Sequence, residues 1–198
     1  ALLGRSMHQP GWVVLGLAGA LLHVWNHALF KSLLFLGAGA VLHGAQTRQI
    51  DRMGGLAKAM PWTAACFLAG AVAICGLPPM NGFAGEWLLY LGLLKTLPGP
   101  GVGAAFAVPA LAMIGALAVA AFVKVYGIAF LGEPRSESAR RAHEAPLAMR
   151  LPMLLLAGLC ALIGLAPLLV APALDAAVAG WQSDAGAGVA TLAPLSYL

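Results

Sequence analysis

Residues 61–97 read PWTAACFLAGAVAICGLPPMNGFAGEWLLYLGLLKTL. The run is apolar throughout, yet Pro78, Pro79, Asn81 and Gly82 interrupt its middle and a carboxylate, Glu86, follows at once. Proline has no N–H to donate and its ring clashes with the preceding turn. The sequence therefore predicts a helix broken over 77–82, with Pro78, Pro79 and Gly82 as the breaking residues. In a bilayer, broken backbone persists only where protein or a water-filled cavity covers it. A broken helix with an acid beside the break is also how many transporters build a mid-membrane ion site. The competing reading is two short helices joined by an ordinary turn, with Glu86 at the surface.

The whole chain supports a membrane setting. Of its 198 residues, 61% are hydrophobic and 9% are charged, against about 25% charged in a typical soluble domain. The net charge of +4 is small. No basic patch alternates with aromatics, which argues against nucleic acid as a partner. Cys66, Cys75 and Cys160 lie in apolar segments without metal or redox spacing and read as small packing residues.

Four spans are expected, at about 12–43, 61–97 (broken), 104–131 and 151–174, followed by an Ala- and Gly-rich tail over 175–198 compatible with the start of a further span. The fold class expected is thus all-α, a polytopic transmembrane bundle with one discontinuous helix. The first run would reach nearly ~50 Å as a helix, well past a ~30 Å hydrocarbon core, so it must tilt, bend or protrude. Gly37-Ala38-Gly39 is its expected soft point. No charged segment leads into an apolar leader, and both ends look cut, which suggests part of a longer protein.

The basic residues set the topology. Arg48, Arg52 and Lys58 lie in the loop 44–60, and Arg135, Arg140, Arg141 and Arg150 in the loop 132–150. The positive-inside rule places both loops in the cytoplasm. That holds only if 61–97 crosses once; a re-entrant hairpin would put the two basic loops on opposite sides.

The first span carries His23, Asn26, His27 and Lys31. At helical spacing the two histidines and the lysine fall at about 0°, 40° and 80°, and Asn26 at about −60°, all on one side. A lysine at the centre of a membrane helix costs roughly 2.5–3.5 kcal/mol even on the lenient insertion scale. Such residues usually face a bundle interior or water and carry proton relays. Interhelical hydrogen bonding is the plainer reading of the histidines. A metal pair is disfavoured because no acid or cysteine accompanies them. Lys31 lies too far inside its run for snorkelling, whereas Lys124, near a span end, suits it. Glu86 is the one acid inside any span. Burial opposes a carboxylate's charge and a nearby cation supports it, a balance that lets a carboxyl load and unload a proton. The residues read as a relay are Glu86, Lys31, His27 and His23, with Lys124 and Asn26 as accessories and Lys31 as the cation expected near Glu86.

Three motifs carry a resemblance. They are His23-x-x-x-His27-Ala28-x-x-Lys31-x-x-x-Phe35, Asp51-x-Met53-Gly54-Gly55-Leu56, and Pro78-Pro79-x-Asn81-Gly82-Phe83-x-x-Glu86-Trp87-Leu88. Together they resemble the antiporter-like membrane subunits of respiratory complex I, Mrp cation/proton antiporters and energy-converting hydrogenases. Residues 77–90 are most similar to the hydrogenase-4 and formate-hydrogenlyase branch. The likeness is close over 22–94 and collinear to about 174.

The resemblance implies a core of two inverted repeats, each with one discontinuous helix, of which this chain would hold the later part of the second repeat. It implies Glu86 as the key ionisable residue of that discontinuous helix, and His23, His27 and Lys31 as the relay leading to it. The expected function is proton or sodium translocation by a multi-pass subunit of the cell inner (plasma) membrane. Its partners would be the other membrane and peripheral subunits of a redox complex, the ion and the lipid bilayer. No cofactor, metal or redox centre of its own is expected, so no catalytic residue is assigned. The alternatives are a stand-alone secondary cation/proton antiporter and a non-conducting membrane anchor.

Overall fold

The computed structural model describes residues 1–96, 102–181 and 188–193. Among them the only regular elements are helices. After a short α1 (Leu2–Ser6), α2 runs unbroken from Pro10 to Ala45. Proline suits its first turn, where an N–H would lack a partner anyway. Gln46 ends it in the left-handed region, its N–H returning to the Leu42 carbonyl. One stripe of α2 is buried: Leu15, Ala18, Leu22, Asn26, Phe30, Leu33, Gly37 and Ala40 recur every three or four residues. The helix continues without interruption through Gly37-Ala38-Gly39. Gly37 gives room to Phe67, whose ring would lie 3.0 Å from a Cβ there.

The segment that follows is interrupted. After α3 (Leu56–Ala59), α4 spans Pro61–Ile74 and α5 spans Asn81–Thr96. At ~1.5 Å per residue they are about 21 and 24 Å long, so neither alone crosses a ~30 Å core. They lie in series along α2. Gly37 faces Phe67, and Gly70 faces Leu33 and Leu34, so α4 packs on the second half of α2. Gly85 faces His23, Gly19 faces Leu88 and Leu89, and Gly92 faces Leu15, so α5 packs on the first half. A re-entrant hairpin would have carried α5 back past the half of α2 that α4 occupies. Residues 97–101, the end of that expected span and part of the stretch before the next, lie outside the described residues.

α6 (Val102–Phe130) and α8 (Leu147–Leu165) flank this core, with a single turn, α7 (Glu137–Arg140), between them. By length and composition, α2, Phe106–Phe130 and α8 are each able to cross a membrane. The last span ends earlier than expected. α8 stops at Leu165, and Pro167, unable to donate a helical hydrogen bond, begins a 3-10 turn before a separate α9 (Ala171–Ala179). α10 (Val189–Leu192) packs against α9 and α2, its first N–H donating to Asp175 Oδ1 at 2.7 Å. Of the expected tail, residues 182–187 and 194–198 lie outside the described residues.

The two basic loops meet at one end of the bundle. The Gly55 N–H donates to the Leu131 carbonyl at 2.9 Å, and Ser136 Oγ to the Arg52 carbonyl at 2.7 Å. Lys58 Nζ pairs with Glu133 at 2.7 Å, and that hydrogen bond and charge hold the Glu133 carboxyl below its ordinary range. Both side chains are exposed, so the pair adds little stability. Glu144 is the stronger clasp. Its carboxylate accepts from the Trp62 and Thr63 N–H groups at 2.8 and 3.4 Å, from Thr63 Oγ1 at 2.6 Å and from its neighbour's N–H at 3.0 Å. It thereby caps α4, whose own N-cap residue, Met60, contributes no side-chain bond. Charge-assisted hydrogen bonds contribute about 1.5–3 kcal/mol. Glu144→Ala is therefore expected to destabilise the fold by about 2–3 kcal/mol, measured by thermal unfolding in detergent, with Thr63→Val losing less.

Candidate functional site at the helix break

The Leu77 N–H returns to the Val72 carbonyl and the Gly76 N–H to the Ala73 carbonyl, at 3.2 and 3.1 Å, with Gly76 at φ +63°. This is a Schellman stop, and it needs a residue that accepts the left-handed region. Pro78 and Pro79, joined by a cis bond, then form the connection together with Leu77 and Met80. Gly82 is not in the gap: it is the second residue of α5, where a Cβ would run into the Ala73 carbonyl. The stop is thus made by Gly76, the connection by the prolines, and the close approach of the two half-helices by Gly82.

The gap is held to α2 by a reciprocal pair of amides. Asn26 Nδ2 donates to the Asn81 carbonyl at 2.7 Å, and Asn81 Nδ2 donates to Asn26 Oδ1 at 3.1 Å. Both asparagines are fully buried, and Asn81 Oδ1 has no partner among the described residues. α8 closes the far side. Cys160 lies beside the Asn81 side chain, and at Gly164 a Cβ would meet the Pro79 carbonyl. Asn26 stands near the midpoint of α2, so the break is at mid-length of the bundle.

Glu86 is the sixth residue of α5 and so stands in its second turn. Its carboxylate folds back onto Gly76. It therefore lies at the C-terminal end of α4, where the last carbonyls of the helix are. No hydrogen bond or ion pair reaches it among the described residues; Cys75 and Tyr90 are its polar neighbours.

The other expected relay residues share α2. His23 and His27 stack with ring centroids 6.1 Å apart and planes 9° from parallel, and His27 meets Phe30 edge-on at 5.3 Å. His23 is half-buried against Gly85, its Nδ1 unpaired. His27 and Lys31 are exposed, and the Lys31 ammonium lies 5.7 Å over the Phe35 ring. The structure thus does not bring Lys31 into an ion pair with Glu86. Lys124 is exposed on α6 and is likewise unpaired with Glu86 among the described residues. Spacing had given Asn26 a minor place and read Asn81 and Gly76 only as parts of the interruption. Their partners lie 55 and 10 residues away, beyond what helical periodicity reports.

Apolar helices gathered around one interrupted helix, with a carboxyl at the interruption that has no partner among the described residues, mark a polytopic membrane protein. The family described as "NADH:quinone oxidoreductase/Mrp antiporter, TM" matches residues 4–113. The chain belongs to that family. It is similar to hydrogenase-4 component B of Escherichia coli (strain K12), 49% identical over 176 residues, covering 87% of this chain and 26% of that protein. It is similar also to formate hydrogenlyase subunit 3 of the same strain, 45% identical over 181 residues, covering 88% and 29%. The chain therefore spans less than a third of the length of these relatives. Its fold matches a chain in the Mrp complex of Dietzia sp. DQ12-45-1b with a TM-score of 0.68 and 24% identity, covering 79% of this chain and 36% of that one.

Proposed function

We propose that this chain is the part of an antiporter-like subunit that moves protons, or sodium ions, past a helix break, with Glu86 as the group that takes up and releases charge. The observation that carries the reading is the Glu86 carboxyl seated at the break in the middle of the bundle, with no cation or donor paired to it among the described residues. A protonated carboxyl can donate to a carbonyl oxygen, whereas a carboxylate can only accept. A group that lies at the carbonyl end of α4 therefore has a different set of partners in each protonation state, which couples proton loading to local geometry.

His23, His27 and Lys31 would extend the path along α2. The exposed faces of His27 and Lys31 would be covered by the remaining length of the full subunit, since a bare lysine at bilayer depth is costly. The subunit would work within a redox-driven membrane complex in the company of other membrane and peripheral subunits. It would be multi-pass in the plasma membrane, with loops 44–60 and 132–150 in the cytoplasm by the positive-inside rule. Residues 1–174 would form its later transmembrane helices.

Lys31→Ala tests the relay against a purely structural role. In the full-length subunit within its complex, it is expected to lower ion translocation at least about tenfold while the complex still assembles on a native gel. Equal loss of assembly and translocation would favour the anchor reading. Normal translocation would remove Lys31 from the path.

A further inference from the structure

The residue that stops α4 also makes the seat for the carboxyl. At Gly76 a Cβ would fall 2.6 Å from Glu86 Cδ, 2.7 Å from Oε1 and still closer to Oε2, distances that no real side chain tolerates. Of the glycines with positive φ, Gly132 makes an instructive contrast. Its φ is +75°, close to the +63° of Gly76, yet a Cβ there would meet nothing within 4 Å. Backbone strain is common to both positions, and the collision with a carboxyl belongs to Gly76 alone.

We propose that Gly76 is a positioning residue for Glu86: its missing side chain leaves the space in which the carboxyl lies against the end of α4. The inference rests on the reading of Glu86 as the relay carboxyl. The atoms a methyl group would strike are the flexible tip of Glu86, not backbone, so the fold can accept the methyl by letting the carboxyl swing away. The consequence falls on translocation rather than on assembly. A displacement of about 1 Å at a reacting group can cost up to ~100-fold in rate.

The test uses the full-length subunit in its complex, with four variants: Gly76→Ala, Gly132→Ala, Glu86→Asp, and Gly76→Ala combined with Glu86→Asp. Thermal unfolding and ion translocation per turnover are read for each. The two single glycine variants are expected to lose similar stability, because both place a methyl on a left-handed backbone. Only Gly76→Ala should lose translocation, by about tenfold or more.

With Glu86→Asp the carboxyl is one methylene shorter and has withdrawn from the space. Adding Gly76→Ala to it should then change translocation by less than about twofold, a non-additivity that marks direct coupling. If Gly76→Ala translocates like Gly132→Ala, or if its effect is the same with and without Glu86→Asp, the positioning role is wrong. Should Gly76→Ala fail to assemble, assembly of the combined variant supports the collision, and its failure shows that Gly76 serves the helix stop alone. Glu86→Gln run in parallel separates the two levels. A dead Glu86→Gln with a normal Gly76→Ala rejects only the positioning role, whereas a normal Glu86→Gln rejects the relay itself.

Discussion

Glu86→Gln is expected to reduce coupled ion movement by about 100-fold or more while leaving the complex assembled. The substitution keeps the size and much of the hydrogen-bonding capacity of the side chain but removes its ability to change charge. Loss of a positioned proton-transfer group typically costs 100- to 10,000-fold, and the lower end of about 100-fold applies if water can partly replace it. Glu86→Asp should keep part of the activity, since the acid survives on a shorter stem. Flux into vesicles reconstituted with the full complex gives the translocation rate, and a native gel gives assembly. Because no cation is paired with Glu86 among the described residues, the glutamine leaves no buried charge stranded. A severe loss of assembly would therefore point to packing, not to proton transfer.

Asn26→Leu should have the largest effect on stability. It removes both hydrogen bonds between α2 and the break and takes from the fully buried Asn81 amide its partner on α2. Stranding a buried polar group costs about 1–3 kcal/mol, so a loss of about 3 kcal/mol is expected for this amide, whose oxygen already lacks a partner among the described residues. Replacing both asparagines tests the cause. Asn26→Leu with Asn81→Leu removes the stranded groups as well as the bonds and should recover much of the stability. Thermal unfolding of the three variants decides it. A single variant that costs under about 0.5 kcal/mol would mean that the amide pair does not hold the break.

Much of this architecture is legible in the sequence because a bilayer allows few solutions. Long apolar runs and a Pro-Pro pair flanked by glycines report directly on helices and their interruption. Other features depend on contacts distant in sequence. Gly76, Gly82 and Gly85 surround the break, and composition does not say which stops α4, which lets two half-helices touch and which faces α2. Gly37-Ala38-Gly39 looks like a soft point on propensity, yet α2 stays helical through it, with Phe67 packed against Gly37.

Hydropathy runs smoothly through Leu165 into residues 171–174, so the end of α8 shows only in the local effect of Pro167. The polar face of His23, His27 and Lys31 follows from a 3.6-residue period. What covers that face does not, because the chain is a fraction of its relatives' length. Glu144 looks like one more loop charge until it is seen capping α4 across 81 and 82 residues of chain.

The central claim is that Glu86 gains and loses a proton as the protein works. Infrared difference spectroscopy of the full complex, recorded between its resting and redox-driven states, reads the carboxyl directly. The claim predicts a carboxylic C=O band that changes between the two states, shifts in Glu86→Asp and vanishes in Glu86→Gln. A spectrum identical in the parent and in Glu86→Gln would show that this carboxyl keeps one protonation state throughout, and would contradict the account.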